Sequence, residues 1–160
     1  MTLHVSDVHD FVKEVELDTL FMHEERGRRL RWTDDELLEI VLPVTSSSLA
    51  VSRDEARHRF RFRTTFTDQS AEYVADCEVV YILSEDVDVA ESVSMEFAER
   101  VAFMAVYPYL RASISSSAAR LGLPIPLLGI VRQGEFQSGE KMTQEQVQQE
   151  FIDDRSETLG

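Results

Sequence analysis

Arg57-His58-Arg59-Phe60-Arg61-Phe62-Arg63-Thr64-Thr65-Phe66-Thr67 alternates without a break. His58, Phe60, Phe62, Thr64 and Phe66 fall on one side of an extended chain, and Arg57, Arg59, Arg61, Arg63 and Thr65 on the other, because successive strand side chains point to opposite faces. The run from Glu72 to Leu83 repeats the pattern, with Tyr73, Ala75, Cys77, Val79 and Tyr81 set against Glu72, Val74, Asp76, Glu78 and Val80. If Asp68-Gln69-Ser70-Ala71 closes a hairpin, Thr67 faces Glu72 and the whole register follows. Phe62 then opposes Cys77 and Phe60 opposes Val79, while Arg63 opposes Asp76 and Arg61 opposes Glu78. A slip of one residue destroys the apolar and the charged set together, so both select the same register. The arginine stripe therefore reads as a cross-strand charge ladder. A formal charge of −14 also argues against nucleic acid as a partner, since phosphate binding needs a basic footprint.

Beyond the hairpin, residues 84 to 92 are acidic and loop-like, which places negative charge where a following helix dipole favours it. Val93, Phe97, Val101, Met104 and Ala105 then recur at helical steps, and Tyr107, Ile114, Ala118 and Leu121 continue the stripe less regularly. The spacing predicts a long helix, kinked or restarted at Pro108 for want of an N–H. It should end where Gly122 can adopt a left-handed cap and Pro124 cannot continue the helical bonding. Leu123 to Val131, interrupted by Pro124, Pro126 and Gly129, should lie over apolar surface as an extended loop.

Before the hairpin, residues 3 to 18 alternate imperfectly and read as a first strand. Residues 19 to 35 read as a long connection, since Gly27 breaks the periodicity amid Arg26, Arg28, Arg29 and Arg31. Residues 37 to 51 read as a second strand region, with Pro43 on an edge or at a bulge. From residue 133 the chain turns polar, with one short helix possible between Thr143 and Asp153. The expectation is one α+β domain over residues 1–132, a four-stranded antiparallel sheet packed on one face by the long helix, and a mobile polar tail over 133–160.

Tyr107-Pro108-Tyr109-Leu110-Arg111, followed at fixed distance by Ile114, Arg120 and Pro124, with Leu128 and Val131 beyond, resembles the corresponding helix and exit loop of the SecB family of export chaperones. The family's small and polar residues before this motif are replaced by Ala102, Phe103 and Met104, and its exit by Arg120-Leu121-Gly122-Leu123-Pro124, as in a divergent member. The resemblance implies ATP-independent holding of unfolded preproteins in an apolar groove, with Phe21, Trp32, Leu42, Tyr109, Leu123, Ile125, Leu127 and Leu128 as client-binding residues. Trp32 either lines that groove or caps the core edge. The resemblance also implies a homotetramer built as a dimer of dimers, with Ala75, Cys77, Val79 and Tyr81 on the packing surface. Glu14, Asp18 and Glu78 match the acids that dock the SecA motor's basic tail, and a charge ladder with the arginines is the alternative for them. A chaperone dedicated to the antitoxin of a toxin-antitoxin pair, and a structural or regulatory oligomer without clients, are the competing functional readings.

No chemistry competes with a holding role. His4, His9, His23 and His58 lack metal-ligand spacing, so no metal and no cofactor is expected. The serines Ser113, Ser115, Ser116 and Ser117 suit a helix packing face better than a nucleophile, and no Gly-rich phosphate loop or nucleophile elbow occurs. The expectation is a protein that is not an enzyme. The single cysteine, Cys77, excludes an intrachain disulfide and fits a reducing cytoplasm. No apolar run reaches membrane-spanning length, and Asp7, Asp10, Glu14, Glu16 and Asp18 stand where a signal peptide would be basic and then apolar.

Overall fold

The computed structural model describes residues 2–31, 43–54, 56–84 and 87–128. In chain order it contains β1 (Leu3–Val5), α1 (Val8–Glu14), β2 (Val15–Arg29), β3 (Val44–Arg53), β4 (Arg57–Thr67), β5 (Ala71–Leu83), β6 (Val87–Val89), α2 (Glu91–Phe97), a π-helical turn (Ala98–Ala102) and α3 (Phe103–Arg120). β4 and β5 form the centre of a four-stranded antiparallel sheet in the order β2-β5-β4-β3. Their register is the expected one: Phe62 opposes Cys77, Phe60 opposes Val79, Arg63 opposes Asp76 and Arg61 opposes Glu78. Asp68 closes the hairpin, its carboxylate accepting from the Ser70 and Ala71 amides while its own amide donates to the Ala71 carbonyl.

The alternation sorts into two unlike faces. Phe60, Phe62, Ala75, Cys77 and Val79 are fully buried and share one core with Phe97, Phe103, Val106, Leu110 and Ile114 of the helical layer. Each buried Phe, Val, Leu or Ile among them contributes about 1.5–3 kcal/mol by leaving water. On the other face the arginines and acids interlock, Arg61 and Arg59 reaching an acid on the diagonal and not the residue directly opposite. Arg61 donates both Nε and Nη2 to Asp76 at 2.9 Å, Arg59 reaches Glu78 at 3.5 Å, and Arg63 donates to Glu24 of β2 at 2.7 Å with Asp76 at 3.7 Å.

Three expectations need correction. Residues 3 to 18 are not one strand: β1 pairs in parallel with β6, and Asp7 accepts from the His9 amide to cap α1, whose Phe11 is fully buried. The supposed connection from 19 to 35 is largely β2, paired with β5 as far as Arg29. Two register shifts, between Leu17 and Thr19 and between Met22 and Glu24, break the period-two signal, as bulges do. Gly27 signals close packing: a Cβ there would meet Ser117 Cβ at 3.0 Å and a Tyr73 ring carbon at 3.2 Å. The acidic segment 84 to 92 likewise holds β6 and the start of α2. Pro43 stands immediately before β3, an edge strand, as a residue without an N–H should. The polar tail lies outside the described residues.

The helical layer runs without a break from α2 through the π turn into α3, every junction residue being helical. Its irregularity is not at Pro108, which α3 accommodates internally, but at Ala98–Ala102, where the Phe103 amide donates five residues back to the Ala98 carbonyl. The additional residue rotates the second half of the layer relative to the first. Ala102, Phe103 and Val106 therefore take the buried positions, and Val101 and Met104, expected there, are only partly buried.

Candidate functional site

α3 ends in a double hydrogen bond that its sequence anticipates. Gly122 sits at φ +66°, the Leu123 amide donates to the Ala118 carbonyl and the Gly122 amide to the Ala119 carbonyl, both at 3.0 Å, which is the Schellman arrangement. The Leu121 carbonyl is held by Arg29 of β2, whose Nη2 and Nε donate at 2.6 and 3.2 Å. Gly27, two residues earlier on the same strand, lets the helix end come this close. The exit segment thus leaves a fixed point.

From that point residues 123–128 run without regular secondary structure. Leu123 and Leu128 lie partly buried against the core, and the Leu128 amide donates to the Pro126 carbonyl at 3.1 Å. Between them Ile125 is 56% exposed and Leu127 96% exposed. Tyr109, 53% exposed, stands earlier on α3, about 18 Å from the helix end at 1.5 Å per residue. Proline-stiffened backbone thus presents apolar side chains to solvent between two anchored leucines.

Of the other sequence-predicted groove residues, Phe21 does not join this strip. Phe21 projects from β2 on the charged face of the sheet, beside His23 with ring centroids 4.9 Å apart. There it lines a recess of about 480 Å³ with Ser52, Arg53, Asp54, Arg59, Arg61 and Glu78, so within one chain the sheet separates it from the helical layer. Trp32 and Leu42 lie outside the described residues.

The acids and the expected packing surface are redistributed as well. Glu14 ends α1 and borders an open recess with Lys13, Glu16 and Ile82, and Asp18 lies 3.5 Å from Arg57. Glu78 is buried, 2.5 Å from His23 Nε2 and in contact with Arg59, so it belongs to the charge network and offers little to a docking partner. Ala75, Cys77 and Val79 have no exposed surface and Tyr81 almost none. Within one chain this face is covered by the chain's own helical layer, which leaves these side chains no surface of their own to offer a second copy. Desolvation, reinforced by Asp76, Glu78 and Glu25, pushes the Cys77 thiol up to about 12, leaving it inert. Burial likewise raises the Tyr81 phenol to about 12. Sequence reasoning missed the Arg29 clasp; its signal was a glycine and an arginine two apart on an edge strand, read instead as loop chemistry.

No family model matches the sequence. A curated relative does: the SecB-like chaperone SmegB of Mycolicibacterium smegmatis is 35% identical over 138 residues, spanning 85% of this chain and 88% of that protein. The chain belongs to the SecB-like chaperone family. A solved SecB-like chaperone has the same fold: Rv1957 of Mycobacterium tuberculosis, in complex with a ChAD peptide from the HigA1 antitoxin Rv1956, superposes with a TM-score of 0.64 at 16% identity, covering 77% of this chain and 94% of that one. The α+β architecture of the SecB-like chain, a four-stranded antiparallel sheet under a long helix, agrees with that neighbour. Among the described residues no group of three or more His, Cys, Asp or Glu is placed to hold a metal ion, and no helix is long and apolar enough to cross a membrane.

Proposed function

We propose that this SecB-like chain holds unfolded polypeptide without ATP, on the strip formed by Leu123, Ile125, Leu127 and Leu128 with Tyr109. The observation that supports this reading is the exit segment, where Leu127 is 96% exposed on a backbone fastened at the Arg29 clasp. An extended client rises about 3.3 Å per residue, so roughly six residues reach from Leu121 to Tyr109. Affinity then comes from apolar area removed from water, at about 25 cal/mol per Å², and no catalytic residue, metal or cofactor is needed. Leu127→Asp tests the reading: it should fold like wild type and lose most of its ability to suppress aggregation of an unfolded protein. Undiminished suppression by the folded variant sinks the proposed strip.

A dedicated antitoxin chaperone is the second reading, favoured by the antitoxin peptide bound to the structural neighbour. Binding to one antitoxin segment and to no other unfolded chain would select it, while equal binding to several unrelated clients would select general holding. Handover to SecA rests on Glu14 and Asp18, which keep access to solvent, since Glu78 is buried. If it operates, Glu14→Lys with Asp18→Lys abolishes binding of SecA's basic tail and leaves client holding intact; absence of wild-type affinity at low salt excludes it. A homotetramer remains part of the proposal, built on surfaces other than the Cys77 face. Light scattering of the purified chain decides it, a monomeric mass removing it.

A further inference from the structure

His58 is enclosed by four elements and is the one buried histidine among the described residues. Its ring stacks on Phe60 of its own strand, with centroids 4.7 Å apart, and meets Phe11 of α1 edge-on at 5.7 Å. Ser94 of α2 shares a 2.9 Å hydrogen bond with Nε2, and Nδ1 has no partner among the described residues. A neutral ring tolerates this when Nε2–H donates to the serine and Nδ1 keeps a bare lone pair. Protonation would place a charged N–H at Nδ1 with no acceptor, and stacking on Phe60 supplies none.

One side of the ring is covered by Phe11, which belongs to the amino-terminal layer, residues 2–14. Phe11 packs on Phe97 at 4.8 Å, and behind Phe97 lie Phe60 and Tyr81 at 5.4 and 4.9 Å. The layer is fastened by a short α1, by three residue pairs between β1 and β6, and by buried Val5. Such small elements open at lower free energy than a central sheet. We propose that residues 2–14 form a proton-operated cover: when the cover lifts, His58 takes up a proton, and the aromatic cluster of Phe11, Phe97, Phe60 and Tyr81 becomes a second apolar surface for clients.

The groups facing His58 are few. β3 contributes Arg53, whose guanidinium is tied to the Val87 carbonyl; β5 contributes Tyr81, directly opposite in register; α2 contributes Ser94. Burial first, and Arg53 second, hold the closed ring down to about 4. On the layer itself, His4 faces Asp88 at 2.9 Å on the exposed side. Asp10 and Lys13 pair with each other at 2.8 Å on the outside.

The open state binds the proton more tightly than the closed one, so the open fraction grows as pH falls from the ordinary histidine value toward that of the closed ring. With ~6.5 open and about 4 closed, going from about pH 7.4 to about pH 5 raises the open fraction about 25-fold. Hydrogen exchange of the full chain, corrected for intrinsic rates, reads this directly. Protection of the α1 amides should fall about 25-fold over that interval, with the centres of β4 and β5 unchanged. His58→Phe should make α1 protection flat with pH. A parallel fall in β4 and β5, or an undiminished pH response in His58→Phe, overturns the proposal. If His58→Phe does not fold, NMR titration of the wild-type ring decides, because a midpoint near 6.5 is incompatible with a closed cover. The client part rests on the holding function: suppression of aggregation should be greater at about pH 5 than at about pH 7.4, and only in wild type. Exchange that responds without any holding at either pH keeps the cover and removes the chaperone reading.

Discussion

Asp76 lies in the middle of the sheet with no exposed surface, and Arg61 grips both its oxygens. Removing one member of a buried pair leaves the other charge uncompensated, so Asp76→Asn should lower stability by about 3 kcal/mol, measured as a shift in urea midpoint. The arginine–acid ladder was legible from alternation, but its diagonals were not: register fixes Cα positions, and a long guanidinium side chain then chooses among the carboxylates within reach. Gly27 was legible only as a break, because its cause is Ser117, ninety residues later in the chain. Gly27→Ala should cost about 1–3 kcal/mol through overpacking, and Gly27→Ala with Ser117→Gly should recover part of it. Cys77, buried with its thiol pushed up to about 12, should react with a thiol reagent at neutral pH only as fast as the chain unfolds. Rapid labelling of the native protein would contradict its place under the helix.

The elements that sequence identified best are those whose covering comes from a single direction. β4 and β5 kept strict alternation, because one face meets the helix and the other meets charge. β2 lost it to two bulges and to polar residues that serve the outer network, and α1 was hidden because seven residues are too few to show a helical period. The π turn was invisible for a related reason: periodicity counts residues, and one additional residue appears only as a stripe that wanders. Deleting Arg100, which is exposed, should convert the π turn to regular α-helix while keeping Phe97 and Phe103 on the core side, with little loss of thermal stability. Inserting an alanine after Met104 should instead rotate α3 by about 100° and prevent folding. Circular dichroism during thermal melting distinguishes the two, and a deletion variant that fails to fold would show that the π turn is required.

At the scale of the whole molecule, the fold was readable because hairpin register, helix cap and composition all agreed, whereas the candidate site was readable only in its carboxy-terminal half. Leu123 to Leu128 sits where the pattern of prolines and leucines put it; Phe21 does not, since a mixed-charge segment conceals which face of a strand it belongs to. If clients bind by apolar burial, raising salt from about 0.05 to about 0.5 M should leave holding undiminished, because screening weakens only charge pairing. A large loss of affinity over that range would move the binding surface to the charged face. The Arg29 clasp bears on how the molecule behaves under tension. A refolding or translocating client pulls on whatever grips it, and a bare helix end would peel open from its last turn. For a client held on the proposed strip, a pull on Leu127 would pass within a few residues to the Leu121 carbonyl and across the guanidinium into β2, which is zipped to β5 along its length. Traction on the client is thereby shared with a shear-resistant sheet, so the grip should give way by releasing the client before the helix unravels.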